Sequence, residues 1–200
     1  MNPKMWAVSA AALLLAACAG NAPVVKSEGS FNPAKQARVR LYGQNQQPTF
    51  MLSGIDCAAG HKGRKDSVGA SIGDAFGSLS GASKSHSLGM AETEASRNIG
   101  QRNGILSKAV FREFAVEAGK PANVRSAFNG LTTSYTTATH RVTHTQASCR
   151  SREASFVPKA GKDYEVLGIK GGCGVAVFEV SADGRAEPVE LQEAVRCNKR

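Results

Sequence analysis

Along most of the chain the apolar positions come in short runs bounded by turn residues, and no sustained helical period appears. In residues 37–43, Val39 and Leu41 alternate with Arg38 and Arg40, which predicts a strand with one buried face. The polar stretch 44–48 predicts a turn and residues 49–57 a second strand, so the pair reads as an N-terminal hairpin. Strand signals return at 105–110 and 111–116. The Thr- and Ser-rich stretch 131–150, with Tyr135 and Val142 among its hydroxyls, predicts strands with polar outer faces. Residues 173–180 (CGVAVFEV) are the most strand-like run. Asp183-Gly184 then predicts a tight turn, with 188–196 returning toward Cys197.

Two segments share the pattern F-x-x-x-A-G-K-x-x-x-V: FAVEAGKPANV at 114–124 and FVPKAGKDYEV at 156–166. Glycine accepts the positive φ that a tight strand-to-strand turn demands, so Gly119 and Gly161 predict turns, with Phe and Val on the strands around them. The echo argues for related halves of one β-structure. Residues 58–104 differ in character, being loaded with Gly and Ser and holding only scattered apolar positions such as Val68, Phe76, Leu79 and Ile99. They predict a long flexible insertion. The fold expected is therefore mainly β, an antiparallel β-sandwich over residues 36–200 interrupted by the flexible insertion 58–104.

The N-terminus carries an address. Met1 to Lys4 forms a short basic region, and residues 5–17 are free of charge, too short for a membrane-spanning helix of ~20 residues. The run ends in Leu15-Ala16-Ala17-Cys18, which resembles the bacterial lipobox. That resemblance implies a signal peptide over 1–17, a diacylglycerol on Cys18 and a tether over 18–35. Ala17-Cys18-Ala19 also fits ordinary cleavage after Ala19. The resemblance further implies the outer membrane, facing the periplasm, because Ala19 replaces the Asp of an inner-membrane retention signal. Net charge is +9. It favours anionic partners such as lipid headgroups or glycan carboxylates. Nucleic acid does not suit an exported chain. The order of hairpin, AGK turn, A-G-K-x-Y-x-V at 160–166 and a final hairpin resembles the small sandwich domains of PEGA-like envelope lipoproteins. That resemblance implies a non-enzymatic envelope module.

No set of residues announces chemistry. His140 and His144 are four apart, a metal-binding spacing on a helix, but the Thr-rich context predicts a strand, where they lie ~13 Å apart. His61 and His86 fall in the insertion without a carboxylate pattern. The Gly-Lys pairs at 119–120 and 161–162 are followed by Pro121 and Asp163 in place of the Ser/Thr of a phosphate loop. Glu92, Glu94, Glu190 and Glu193 read as solvated charge, as do the basic clusters 61–65 and 198–200. The expectation is no enzyme, no metal and no cofactor.

Lipidation of Cys18 leaves Cys57, Cys149, Cys173 and Cys197 for two disulfides in an oxidising compartment. Opposed residues of a hairpin have position numbers of constant sum. A turn near Gly184–Arg185 sets that sum at about 370, pairing Cys173 with Cys197 and leaving Cys57 for Cys149. The functional expectation is an anchored accessory module of an envelope assembly, with a protein partner. The alternatives are an inhibitor or immunity protein against a cell-wall hydrolase or toxin, and, third, an enzyme acting on an envelope polymer.

Overall fold

The computed structural model describes residues 21–27, 29–71, 77, 82–105, 107–169 and 172–198. The expected lipobox with Cys18 lies outside them, as do Lys199 and Arg200. The fold is mainly β, a sandwich-like stack of two sheets. One sheet runs in the order β1 (Val24–Lys26), β5 (Ser85–Ser87), β6 (Val110–Glu117), β2 (Gln36–Gly43), β12 (Asp163–Gly168), β13 (Val175–Val180) and β14 (Ala186–Pro188). The other runs β15 (Gln192–Glu193), β11 (Ala154–Phe156), β7 (Ala122–Phe128), β3 (Thr49–Ser53) and β4 (Arg64–Val68), with β10 (Cys149–Arg150) also on β7. A separate two-stranded ribbon joins β8 (Thr132–Thr136) to β9 (Arg141–Thr145).

The alternation read in β2 holds. Val39 and Leu41 face the space between the sheets, where they meet Met51, Val68, Val116, Val124, Phe156, Val166 and Val177 in one buried cluster. The connections differ from expectation. β2 and β3 are not a hairpin: β2 pairs with β6 and β12, β3 with β4 and β7. The turn at 44–47 therefore carries the chain from one sheet to the other. A side chain at Gly43 would meet the Val68 carbonyl oxygen at 2.2 Å, so only glycine permits this close crossing.

Both AGK segments make the same kind of crossing. Gly119 (φ +78) leads from β6 to β7 and Gly161 (φ +72) from β11 to β12. The two corners lie together, with Gly119 N donating to the Pro158 carbonyl at 2.8 Å. The first sheet is mixed rather than antiparallel, because β1–β5, β5–β6 and β2–β12 pair in parallel.

Among its described residues, the expected insertion 58–104 contributes to both sheets. β4 and β5 enter the two sheets, and α1 (Glu94–Arg97) with a 3-10 turn (Ile99–Arg102) covers the outer face of the first sheet. Ile99 packs there with Tyr42, Ala109, Phe111 and Leu167 in a second apolar cluster. The expected tether is partly drawn in as well. Ala22 is buried, β1 pairs with β5, and Asn21 bonds both the Arg97 carbonyl and Gly100 N at 2.8 Å.

The disulfides correct the pairing read from the sequence. Cys57 joins Cys197 and Cys149 joins Cys173, with Cα separations of 5.1 and 5.8 Å. The final hairpin turns earlier than expected, placing Val180 opposite Ala186, and its second strand stops at Pro188. The chain then leaves for the other sheet, where β15 pairs with β11, and this carries Cys197 to Cys57 beyond the end of β3. Cys173 precedes β13 in a loop held to β7 by Ser126 Oγ donating to the Gly174 carbonyl at 2.6 Å. That leaves it beside Cys149.

Candidate functional site

Register brings together three charged residues far apart in sequence. On the outer face of the first sheet, Arg40 of β2 stands opposite Glu113 of β6 on one side and Glu165 of β12 on the other. All three are buried, with Arg40 and Glu165 each only 1% exposed. Arg40 donates from Nε (2.9 Å) and Nη2 (2.6 Å) to Glu113 Oε1, and from Nη1 to Glu165 Oε1 at 2.8 Å. Its Nη2 also reaches the carbonyls of Met90 and Ala91 at 3.2 and 3.0 Å, and its guanidinium lies 4.8 Å from the Phe111 ring centre. Glu113 Oε2 accepts from Ser87 Oγ and from the backbone N–H groups of Leu88 and Met90. These bonds fasten the covering segment to the sheet. Burial acts to lower the Arg40 pKa, but the charges and hydrogen bonds of Glu113 and Glu165 help to outweigh it and hold the guanidinium above its ordinary value.

Glu165 Oε1 also accepts from Tyr42 OH and from Thr93 Oγ1, the latter at 2.6 Å. Thr93 is the N-cap of α1 and forms a capping box with Ser96, so the start of the helix is tied to the cluster. Burial first, then the neighbouring Glu165 carboxylate, push the Tyr42 phenol well above its usual range, and it stays protonated as a donor.

Beside this cluster opens a cleft of about 740 Å³ between α1 and the β13–β14 hairpin. Glu165, Leu167 and Phe178 line it from the sheet, Arg97 and Arg102 from the helical side. Its end is closed where the hairpin tip touches the covering segment: a side chain at Gly184 (φ +83) would meet the Glu92 carbonyl oxygen at 2.1 Å. At that tip Asp183 is pulled down to about 2, by the Ser181 hydroxyl first and then by Arg185 N–H. Arg102 donates to the Gly168 carbonyl at 3.1 Å, and burial draws its pKa down against the opposing pull of Tyr42 and Glu165.

The β8–β9 ribbon is the other exposed feature. Every residue of its strands is exposed except Val142, which is half-buried. One face carries Thr132, Thr145, Ser134 and Thr143, whose hydroxyls pair across the strands at 3.3 and 3.0 Å. The other carries Tyr135, Val142, Thr133 and His144, and the Tyr135 and His144 rings stack at 6.1 Å. The root is firmly held. Gly130 is so close to Gln146 that a side chain would lie 1.9 Å from its carbonyl oxygen, and Cys149 is bridged to Cys173. From 118 to 152 the chain contains no Asp or Glu, while Lys120, Arg125, Arg141, Arg150 and Arg152 all fall within it. At the root Arg125 lies over the Phe50 ring at 3.8 Å, and burial and then Arg150 draw its pKa down.

The residues singled out in the sequence take other places. His144 lies on a strand, as its context predicted, and His140 sits at the ribbon's turn against Thr139 Oγ1 at 2.7 Å. His61 Nδ1 contacts the Gly54 carbonyl at 2.9 Å, and His86 belongs to β5. No group of three metal-ligating side chains occurs among the described residues. The lysines of the AGK turns are taken up in ion pairs, Lys120 with Glu117 (2.9 Å) and Asp56 (3.4 Å), Lys162 with Glu179 (2.8 Å). In the basic cluster 61–65, Arg64 pairs with Asp66 at 3.0 Å. Sequence reading missed Arg40, Glu113 and Glu165. Their signal was an arginine on the face opposite Val39 and Leu41, and acidic residues inside two other apolar strands. Comparison with family models, curated proteins and solved structures finds no match, so the function has to be argued from these residues alone.

Proposed function

We propose that this chain is a lipid-anchored, non-enzymatic module of the bacterial envelope, and that it engages an anionic partner through the β8–β9 ribbon. The ribbon is the observation that carries the reading. A two-stranded ribbon exposed on both faces has little reason to persist in water unless something docks on it. Here its root is clamped by a disulfide and a glycine crossing while its body stays free. The acid-free run from 118 to 152 gives the arm and its root one sign of charge, and Tyr135, 54% exposed, supplies an aromatic anchor. The lipobox at 15–18 and the two disulfides fit an exported protein held at the outer membrane and facing the periplasm. The likeness to PEGA-like envelope domains points the same way.

A photo-crosslinking residue at position 135 in intact cells tests this, with the same residue at exposed Val24 as control. A discrete adduct from 135 that is absent from 24 supports the reading. No adduct, or equal adducts from both positions, overturns it. An arm two strands wide also fits into an enzyme's cleft, which favours the inhibitor as the second reading. Under that reading the partner crosslinked at 135 is a hydrolase whose activity the chain suppresses.

A further inference from the structure

We propose that the cleft between α1 and the β13–β14 hairpin binds the primary amine of a short aliphatic chain, anchored on Glu165 Oε2. The argument begins with an imbalance. Arg40 places one positive charge between two carboxylates, so these three side chains together carry one surplus negative charge. Every hydrogen bond to Glu165 falls on Oε1, from Arg40, Tyr42 and Thr93, and among the described residues no donor reaches Oε2. A carboxylate oxygen without a protein donor, on a residue of the cleft wall, can accept a charge-assisted hydrogen bond, and a charged amine supplies a strong one. Glu165 is at the same time part of the cleft wall, so a ligand there has access to it.

The rest of the cleft suits such a ligand. Its volume, about 740 Å³, lies in the range of small-molecule sites. Leu167 and Phe178 offer apolar surface for methylene groups next to the carboxylate. Glu94 and Glu187 stand among its lining residues as further acceptors for a second cationic group. At the Glu165 wall a carboxylate would be repelled, while Arg97 and Arg102 stand on the helical side. The shape is built in beforehand, because Thr93 fixes α1 to Glu165 and the contact of Gly184 with Glu92 fixes the hairpin. The amine comes either free, as a diamine, or as the lysine side chain of a peptide.

The test is calorimetric titration of the full chain, with both disulfides formed, using three probes: 1,5-diaminopentane, an Nα-acetyl-lysine amide, and glutarate as the anion of matching length. Saturable binding of either amine and none of glutarate is expected. The diamine alone identifies a free amine, and binding of the lysine amide identifies a peptide side chain. Glu165→Gln should weaken binding by about tenfold or more, as loss of a buried charge-assisted bond does. Ala186→Trp is the companion variant: Ala186 is exposed on β14 and lines the cleft, so the indole fills the site without touching the buried cluster. It too should abolish binding. Replacing the ribbon should leave binding unchanged, which separates this proposal from the docking arm. Absence of amine binding up to about 10 mM, equal binding of glutarate, or full binding by Ala186→Trp each overturns the site.

Discussion

Replacing Arg40 by methionine keeps most of the side-chain volume and removes the guanidinium. Five bonds go with it: three to Glu113 and Glu165, and two to the carbonyls of Met90 and Ala91. What remains is two carboxylates, both essentially inaccessible, facing each other across an apolar side chain. Breaking a buried ion pair from one side costs about 3–5 kcal/mol, chiefly through the stranded charge. A domain of this size has on the order of 5–15 kcal/mol in all, so this single change removes a large share. Replacing the whole charged set by neutral groups is far less harmful. Arg40→Met combined with Glu113→Gln and Glu165→Gln should therefore recover much of the loss. A deficit of about 1–3 kcal/mol remains, because Glu113 also accepts from Ser87, Leu88 and Met90. Urea unfolding followed by circular dichroism, disulfides intact, measures both variants. Hydrogen exchange should show the single variant losing protection first in residues 88–103, which Arg40 and Glu113 fasten to the sheet. A loss below about 1 kcal/mol for Arg40→Met, or a triple variant no better than the single one, would refute the reasoning.

Non-reduced peptide mapping should join Cys57 to Cys197 and Cys149 to Cys173, and a peptide joining Cys173 to Cys197 would refute the fold's final crossing. In the chain-entropy model the longer loop contributes about 5 kcal/mol and the shorter about 3 kcal/mol, so removing the Cys57–Cys197 bridge should lower the urea midpoint more. Gly184→Ala should destabilise by more than about 1 kcal/mol, because its φ of +83 and the nearby Glu92 carbonyl both oppose a side chain; thermal unfolding measures it. Cys18→Ser should abolish labelling by a palmitate analogue and release the protein from membranes, and unchanged retention would remove the anchor.

What could be read from the sequence was local. The Gly-centred turns at 119, 161 and 184 and the two-faced pattern of Val39 and Leu41 all follow from backbone freedom and period-two alternation. Partner choice was not local. A turn such as 44–47 looks the same whether the strands it joins pair with each other or enter different sheets, and only the closeness of Gly43 to Val68 decides it. The same blindness misplaced Cys197: nothing before Pro188 announces that the chain will abandon β13 for β11. Residues 82–104 looked structureless because their order comes from outside. Their polar backbone groups bond to Arg40 and Glu113, which belong to strands distant in sequence, and only Ile99 and Met90 among their apolar side chains are buried.

The bridge between Cys57 and Cys197 turns most of the chain into a covalent ring. A protease that cuts once anywhere between those residues, the exposed ribbon included, opens the ring but releases nothing, and the two ends stay linked through sulfur. In a compartment rich in proteases such a molecule survives a first wound intact in mass. Without reductant a nicked sample migrates as one species, and only reduction reveals the break. Damage to the arm and loss of the body are thereby made separate events.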